Sequence, residues 1–332
     1  MSGAGAKRPR ILSGMRPTGR LHLGNYLGAL QNWVAMQQQC ESYHMVADWH
    51  VLTTDYEHTA QITPNTLEMV TDWLAAGIDP ETSPCFIQSR VKEHAELHLL
   101  FSMLVTVSRL ERNPTVKEQV RDLNLEESVS YGHLGYPVLQ AADILLYKAN
   151  LVPVGEDQVP HVELTREVAR RFNGIYGEVF PVPEPKLTHF PRLPGLDGRR
   201  MSKSLGNTIL MADAPEEIEA KVRTAYTDPK KIRKDDPGNP DGCVVFAYHR
   251  AFHPAGAAQI EAACRAGKLG CVADKRDLAG IVAKALEPIR ERRRELEAHP
   301  ERVVEALRYG EEKARAMAQE TMRQVREAMK LP

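Results

Sequence analysis

The segment that decides the fold is ILSGMRPTGRLHLGN, residues 11–25. Its apolar start predicts a short strand that ends at Gly14, and a helical stretch follows from Tyr26. Small residues in the loop between them let the backbone approach a nucleotide closely, and the N–H groups at the start of the helix attract phosphate. Thr18 and His22 add side-chain donors where charge develops on a phosphoryl group. The segment therefore predicts a nucleotide-binding strand–loop–helix unit.

Strands and helices alternate through the N-terminal part of the chain. Tyr43–Ala47, Cys85–Ile87 and Leu151–Val154 have the apolar composition of buried strands. Helical periodicity extends over Tyr26–Gln38, from Thr63 to Gly77, over Glu93–Arg109, over Tyr136–Lys148 and over Asp157–Phe172, with Asn173-Gly174 closing the last helix. This alternation predicts the α/β class, with a Rossmann-like parallel sheet covered by helices.

The strand pattern stops near residue 206. The stretch 181–194 just before it is dense in prolines, which predicts a loop or a sheet edge. Every later segment has helical periodicity. We therefore predict a flexible tail at 1–10, a catalytic α/β domain at 11–206 with a helical insertion at about 90–135, and an all-helical domain at 207–332.

Composition limits the function classes. A chain of 332 residues can form about two domains with sizeable cores. The net charge of -1 provides no overall field that attracts nucleic acid, so an RNA contact must use local basic patches. The five cysteines are too scattered for a disulfide framework, and no apolar run is long enough to span a bilayer. We expect a cytoplasmic protein without membrane association.

Two further segments carry chemistry. VGEDQ, residues 154–158, follows a predicted strand, and an acidic residue at such a strand end can hold ribose hydroxyls. RRMSKS, residues 199–204, is a basic loop between the predicted domains, and its lysine can meet the pyrophosphate side of ATP. Each of these segments alone is also typical of a helix cap or an exposed loop, and RLHLG alone of a turn with a core histidine. Their joint occurrence in this order indicates an ATP site.

The same segments resemble the signature motifs of a known enzyme family. His22-Leu23-Gly24-Asn25 resembles the HIGH motif of class I aminoacyl-tRNA synthetases, and Met201-Ser202-Lys203-Ser204 resembles their KMSKS motif. Within that class the chain is most similar to the tryptophanyl-tRNA synthetase family. The segments that carry this similarity are GNYLGAL at 24–30, AADILLY at 141–147 and VPVGEDQ at 152–158.

The resemblance implies the reaction and its ATP site. The carboxylate of L-tryptophan attacks the α-phosphorus of ATP, pyrophosphate leaves, and the aminoacyl group passes to tRNA(Trp). The implied ATP-binding residues are Arg16, Pro17, Thr18, Gly24, Asn25, Gly155, Glu156, Asp157, Leu193, Arg200, Met201, Ser202, Lys203 and Ser204. The implied catalytic residues are Thr18, His22, Asn25 and Lys203. Alignment and charge stabilisation should provide most of the rate in such a displacement.

The resemblance also implies an amino acid pocket. Asp143 is its expected acceptor for the indole N–H, and Tyr136 and Gln158 are expected to hold the substrate ammonium. Gln140 departs from the family, because many bacterial tryptophan enzymes have methionine there. Gln140 and Asp143 lie three residues apart on a helix and share a face, so the pair could also recognise a phenol hydroxyl.

Leu12 separates tryptophan from tyrosine as the substrate. Tyrosine enzymes carry a tyrosine at this position, at the end of the first strand. An apolar residue suits the face of an indole and offers a phenol no second partner. Tryptophan is therefore the favoured substrate, with a tyrosyl-type synthetase as the alternative. In the lysine loop, Arg200 replaces the first lysine of KMSKS, which keeps the charge and changes the shape.

The remaining expectations concern partners and metals. The family implies a homodimer that binds tRNA(Trp), with basic clusters at residues 221–234 and 290–294 as candidate phosphate contacts. Mg²⁺ is expected on the ATP phosphates rather than in a carboxylate cage. Some relatives ligate an iron–sulfur cluster through four cysteines. Here Cys243, Cys264 and Cys271 are present, but Asp274 occupies the fourth position, so no cluster is expected.

Two other function classes compete with a synthetase. A nucleotidylyltransferase of the same superfamily would share the histidine loop but would lack the AAD pocket helix and the helical domain. A synthetase-like regulator that binds ATP and tryptophan without charging tRNA would be expected to lose His22 or Lys203. Both residues are present.

Overall fold

The computed structural model describes residues 8–122, 128–187 and 193–332. Most of the predicted N-terminal tail, residues 1–7, lies outside this range, as does part of the proline-dense stretch, residues 188–192. No helix of the described residues is both long and apolar enough to cross a bilayer.

A five-stranded sheet forms the centre of the fold. Its strands are β1 (Arg10–Met15), β2 (Glu41–Val46), β3 (Cys85–Ile87), β4 (Leu151–Val154) and β5 (Glu184–Leu187). They lie in the order β3-β2-β1-β4-β5, and every neighbouring pair is parallel. This confirms the predicted α/β fold. β5 lies at the sheet edge, where the Pro185 nitrogen removes no central ladder bond.

Helices cover the sheet and form the C-terminal part of the chain. They are α1 (Leu23–Asn25), α2 (Gln31–Met36), α3 (Asp48–Leu52), α4 (Ile62–Ala76), α5 (Glu93–Ser102), α6 (Val107–Glu111), α7 (Pro114–Asp122), α8 (Tyr131–Leu146), α9 (Val159–Tyr176), α10 (Pro215–Arg223), α11 (Val244–Phe252), α12 (Pro254–Arg265), α13 (Cys271–Ala298) and α14 (Glu301–Met329). Beyond β5 the described residues contain no strand, as predicted for the region after residue 207.

Several helix bounds differ from the predicted ones. α8 begins at Tyr131 rather than Tyr136, because the Ser130 hydroxyl caps it and accepts a hydrogen bond from the His133 N–H at 3.0 Å. α9 continues past Gly174 to Gly177, which has a φ of 103° and ends it. The predicted helix Tyr26–Gln38 contains a π-helical turn between α1 and α2.

The hydrophobic core lies on both faces of the sheet. On one face, Trp33 and Trp73 pack in a cluster to which α13 contributes Val282. On the other, Phe86 and the apolar residues of α8 pack in a cluster to which α14 contributes Met322. Each fully buried side chain of this kind stabilises the fold by about 1.5–3 kcal/mol. The C-terminal helices thus complete the core around the sheet.

α14 crosses the sheet backbone closely at Gly310. A Cβ placed on Gly310 would overlap the carbonyl oxygen of Cys85, the first residue of β3. Only glycine allows this approach, since the clashing atom belongs to a strand backbone that cannot move without disturbing the sheet. Gly310 therefore fixes where the last helix docks.

We predict that Gly310→Ala destabilises the protein by about 2 kcal/mol or more, because the added methyl must push α14 away from β3. The matched control is Gly280→Ala on α13, where nothing lies within 4 Å of an added Cβ. That change should stabilise by about 1 kcal/mol through helix propensity. Urea unfolding of both variants measures the difference, and equal effects of the two substitutions would refute the close contact.

His44 on β2 is a fully buried imidazole in an aromatic box. It stacks on Trp33 at a ring-centroid distance of 4.7 Å and meets the edge of Trp73 at 6.5 Å. Neither ring nitrogen has a hydrogen-bond partner among the described residues. Burial lowers the pKa of His44 to about 3, so the ring is neutral at pH 7.

This pKa predicts an acid-sensitive fold. The unfolded His44 takes up a proton below pH 6.5 while the folded one does not until about pH 3, so stability is lost as pH falls through that window. His44→Phe keeps the stacking and should reduce the loss between pH 7 and 5 by about 2 kcal/mol, measured by urea unfolding.

The control is exposed His58, whose pKa is raised by its hydrogen bond to Asp55. A raised pKa contributes stability below the unfolded pKa, so His58→Phe should not reduce the acid loss. If His44→Phe leaves the pH dependence unchanged, the buried neutral imidazole is not its source.

Candidate active site

The site forms at the carboxyl ends of β1 and β4. These neighbouring strands continue into connections on opposite sides of the sheet, and ligands of open parallel sheets bind in the crevice at such a switch point. A cavity of about 400 Å³ opens there. The predicted site residues that line it are Leu12, Arg16, Tyr136, Gln140, Asp143, Gly155 and Gln158. The structure therefore brings together the predicted amino acid pocket.

Asp143 is a buried carboxylate held by three donors. Its Oδ1 accepts from Gln88 Nε2 at 2.7 Å and from His94 Nδ1 at 2.6 Å, and its Oδ2 pairs with His50 Nε2 at 2.7 Å. Burial acts to raise the pKa of Asp143, but the hydrogen bonds from His50 and His94 outweigh it, and the net pKa lies below the usual value. The cavity therefore presents an ionised acceptor.

A tyrosine holds the second nitrogen of His94. His94 Nδ1 donates to the Asp143 carboxylate, and Nε2 is hydrogen-bonded to the Tyr147 hydroxyl at 2.8 Å. The buried chain Tyr147–His94–Asp143 is fully hydrogen-bonded, and such a network holds its acceptor in one orientation.

Sequence reasoning missed the residues that hold Asp143. His50, Gln88 and His94 lie 93, 55 and 49 positions away along the chain. An apolar helix run around one carboxylate predicts that some partner exists, because burying the charge alone is costly. Nothing in the local pattern identifies the partner, since strand order and helix packing bring it there.

Two other pocket residues are anchored to neighbouring elements. The Tyr136 hydroxyl lies 3.0 Å from His161 Nε2, and burial lowers the pKa of His161 to about 4. Arg16 donates from Nη2 to the carbonyl oxygen of His50 at 2.6 Å and to Thr53 Oγ1 at 3.2 Å. The guanidinium is thereby tied to α3 while it faces the cavity.

The histidine loop, residues 16–25, is shaped by a reciprocal cap. His22 Nδ1 accepts from the Asn25 N–H at 3.3 Å, and Asn25 Oδ1 accepts from the His22 N–H at 3.2 Å. Burial, and then the charge of Lys203, lower the pKa of His22 to about 4. Because Nδ1 accepts, the neutral ring carries its proton on Nε2, where it can donate to a phosphate oxygen.

The lysine loop, residues 199–204, closes onto the histidine loop. Lys203 Nζ donates to the Arg20 carbonyl oxygen at 2.9 Å and also to that of Thr18. The Gly24 N–H lies 3.3 Å from Met201 Sδ, and a Cβ on Gly24 would come within 3.3 Å of the same sulfur. Gly24 therefore lets the two loops meet.

Asn207 is a second residue that sequence reasoning missed. Its Oδ1 accepts from the Ser202 N–H at 2.8 Å, and its Nδ2 donates to Asp197 Oδ1 at 2.8 Å and to the Arg200 carbonyl at 3.0 Å. One amide side chain thus holds both ends of the lysine loop. Asparagine is common in turns, so the sequence alone gives no reason to single it out.

Other predicted ATP residues lie outside the cavity lining. Among the described residues, those that do not line it are Pro17, Thr18, Gly24, Asn25, Glu156, Asp157, Leu193, Arg200, Met201, Ser202, Lys203 and Ser204. Pro17 is buried, Leu193 packs against the core, and Ser202 and Ser204 hydroxyls lie 2.9 Å apart. Glu156 and Asp157 form an exposed turn directly after β4. Most of these residues belong to the two loops, which meet beside the cavity.

The three C-terminal cysteines are free thiols in the structure. Asp274, at the position of a fourth ligand, accepts instead from His249 at 2.9 Å. Among the described residues, no group of three or more histidine, cysteine or acidic side chains is arranged to hold a metal ion.

Comparison with known proteins identifies the family. Residues 5–287 match the model of class I tRNA synthetases of the W and Y type. The chain belongs to this family. The membership confirms the resemblance predicted from the HIGH-like and KMSKS-like motifs.

Relatives match this synthetase along nearly their whole length. The tryptophan–tRNA ligase of Thermotoga maritima is 51% identical, covering 97% of this chain and 99% of the relative. That of Aquifex aeolicus is 45% identical, covering 97% and 100%. The tryptophanyl-tRNA synthetase of Campylobacter jejuni, solved with ADP and tryptophan, is 33% identical and superposes with a TM-score of 0.86, covering 97% and 100%.

Proposed function

We propose that this synthetase is a tryptophan–tRNA ligase, which forms tryptophanyl-adenylate from L-tryptophan and ATP and transfers the tryptophanyl group to tRNA(Trp). The observation that carries the proposal is the buried, ionised Asp143 in a cavity of about 400 Å³ beside the joined loops. The identities of 45% and 51% to tryptophan–tRNA ligases support it, as does the likeness to a synthetase that binds ADP and tryptophan.

The chemical step follows from the placement of the two loops. A carboxylate oxygen of tryptophan bonds to the α-phosphorus of ATP, the bond to the bridging oxygen breaks, and pyrophosphate leaves with that electron pair. The His22 Nε2–H donates to a phosphate oxygen without changing its own charge. The Lys203 ammonium exchanges its carbonyl acceptors for the departing phosphates. Mg²⁺ is proposed on the phosphates, where it shields their charge.

The pocket favours an indole over a phenol. Asp143 accepts the indole N–H, while Leu12, which is buried within β1 and lines the cavity, contacts the ring face. The Gln140 amide lies in the same lining and is the polar group that could hold a phenol oxygen. The phenol ring of a tyrosine substrate is smaller than an indole and would leave part of the cavity unfilled, so the affinity for tyrosine is lower than that for tryptophan. Tyr136 and Gln158, which line the same cavity, are proposed to hold the ammonium.

The tRNA and dimer assignments are part of the same proposal. The helical region 207–332 is proposed to read the anticodon, with its basic clusters on the phosphates. A homodimer is supported by large apolar side chains exposed on α5, directly after it, on α6 and at the start of α8: Leu99, Met103, Val107 and Tyr131 are 56%, 69%, 58% and 73% exposed. The five free cysteines agree with a reducing cytoplasm.

The test is exchange of labelled pyrophosphate into ATP with each amino acid separately. We predict exchange with tryptophan, and a loss of about 100-fold in kcat/KM for tryptophan in Asp143→Asn, because a charged acceptor of a buried N–H is removed. The matched control, Glu167→Gln, alters a carboxylate whose partner is the exposed Arg109 and should retain exchange.

The possible outcomes separate the candidate functions. Exchange with tyrosine in place of tryptophan would move the assignment to a tyrosyl-type enzyme. Exchange with no amino acid would favour a regulator, and unchanged discrimination against tyrosine in Asp143→Asn would remove the role given to that carboxylate. Circular dichroism of each variant excludes unfolding as the cause.

A further inference from the structure

A second cavity lies apart from the active-site lining, between the histidine loop, the start of α10 and the C-terminal half of α13. Its volume is about 370 Å³. It is lined by Arg20, Ala212, Ala214, Pro215, Arg290, Arg293, Arg294 and Glu297. We call it the arginine cavity, because four of these side chains are guanidinium groups and one is a carboxylate.

Two of the arginines are already neutralised. Arg293 is buried and pairs with Asp72 Oδ1 at 2.5 Å, with Glu297 Oε1 at 2.9 Å and with Glu68. Arg20 pairs with Glu68 Oε2 at 2.9 Å. The carboxylates around the cavity are thus paired with Arg20 and Arg293. These two arginines therefore add no unpaired positive charge to the cavity.

The other two arginines remain without a carboxylate partner among the described residues. Arg290 Nη2 donates to the Ala283 carbonyl at 2.8 Å, but its Nη1 is buried and has no acceptor in the described part of the chain. Arg294 lies one helical turn further on the same face of α13. Two like charges one turn apart on one face of a helix repel each other, and an anion bound between them removes this cost.

The two arginines without a carboxylate partner are best balanced by a phosphate group. Guanidinium groups bind phosphate through paired, charge-assisted N–H···O bonds, and the side chains of Arg290 and Arg294 both line the cavity. A phosphate dianion balances both free charges, whereas one carboxylate balances only one. We propose that the arginine cavity is a phosphate-binding site, separate from the proposed ATP site; where the phosphate belongs to an RNA, the site rests on the tRNA contact proposed above for residues 290–294.

The arginine cavity is connected to the histidine loop. Arg293 holds Asp72, and Asp72 Oδ2 accepts from the Leu21 N–H at 2.6 Å, directly before His22. Arg20, which lines the cavity, belongs to the same loop, and its carbonyl oxygen accepts a hydrogen bond from Lys203. A phosphate bound between Arg290 and Arg294 therefore stabilises the elements that support the catalytic loop.

The phosphate has two possible sources, a free inorganic phosphate and the backbone of an RNA. The first arm of the test is calorimetric titration of the full chain with inorganic phosphate at low ionic strength. We expect one phosphate to bind to the wild-type protein, and at least tenfold weaker binding to Arg290→Gln/Arg294→Gln. Arg290→Lys/Arg294→Lys keeps the charge and should recover part of the affinity.

Two matched controls locate the site. Arg308→Gln removes an exposed arginine of α14 that pairs with Glu312, and it should bind phosphate like the wild type. Lys203→Ala alters the proposed ATP site and should also retain this phosphate. The two arginines are partly exposed, so their glutamine variants are expected to fold, which circular dichroism checks.

The second arm measures binding of a tRNA transcript against salt concentration. If free phosphate does not bind the wild type, but the double glutamine variant binds RNA about tenfold more weakly with a smaller salt slope, the phosphate comes from RNA. If the double variant changes neither binding, the proposal is overturned. Tryptophan-dependent exchange by the wild type is independent of both results, so failure of the proposed function would be recognised separately.

Discussion

The contact between the Lys203 ammonium and two carbonyl oxygens of the histidine loop is the interaction on which the active site depends. Lys203 and His22 lie on loops far apart in sequence, and their distance sets whether one ATP can touch both. A backbone hydrogen bond also joins the two regions: the Leu23 N–H donates to the carbonyl oxygen of Ile209, which follows the lysine loop, at 2.9 Å. The two loops are therefore one structural unit.

Burial and the nearby Lys203 also set the charge of the histidine. A neutral His22 with its proton on Nε2 can donate a hydrogen bond without gaining or losing charge. Burial and the ammonium together keep the pKa of His22 at about 4, well below the pH of the cell. At Asp143 the surroundings favour the charged form instead, because histidine and amide donors keep the buried carboxylate ionised. A neutral imidazole in the histidine loop and an ionised carboxylate in the neighbouring cavity thus result from different surroundings.

The fold was largely predictable because its strands are buried on both faces. Such strands are continuous apolar runs in the sequence, and Cys85–Ile87 and Leu151–Val154 were predicted with the bounds that the structure shows. β5 was harder to predict, since Pro185 and the prolines around the strand are also typical of a loop. Helix ends depended on single caps such as Ser130, which a periodicity pattern does not register.

The active-site motifs were predictable because each is continuous in sequence. The groups that hold them are not. Asn207 lies close in sequence to the loop that it holds, but asparagine is common in turns. His50 and His94 reach Asp143 from α3 and α5, and the packing of α13 leaves Arg290 Nη1 without an acceptor among the described residues. Long-range packing of this kind leaves no local pattern, whereas a motif that contacts ATP must keep its residue types at a fixed spacing.

The most direct test of the joined loops compares binding with chemistry in Lys203→Ala. Rapid-quench measurement should show adenylate formation slowed by about 100- to 1000-fold, because a charge aimed at the departing phosphates is lost, while the dissociation constant of tryptophan changes by less than about threefold. Lys284→Ala, an exposed lysine of α13, should change neither quantity. Equal effects of Lys203→Ala on binding and on chemistry would contradict a lysine loop that acts on the transition state.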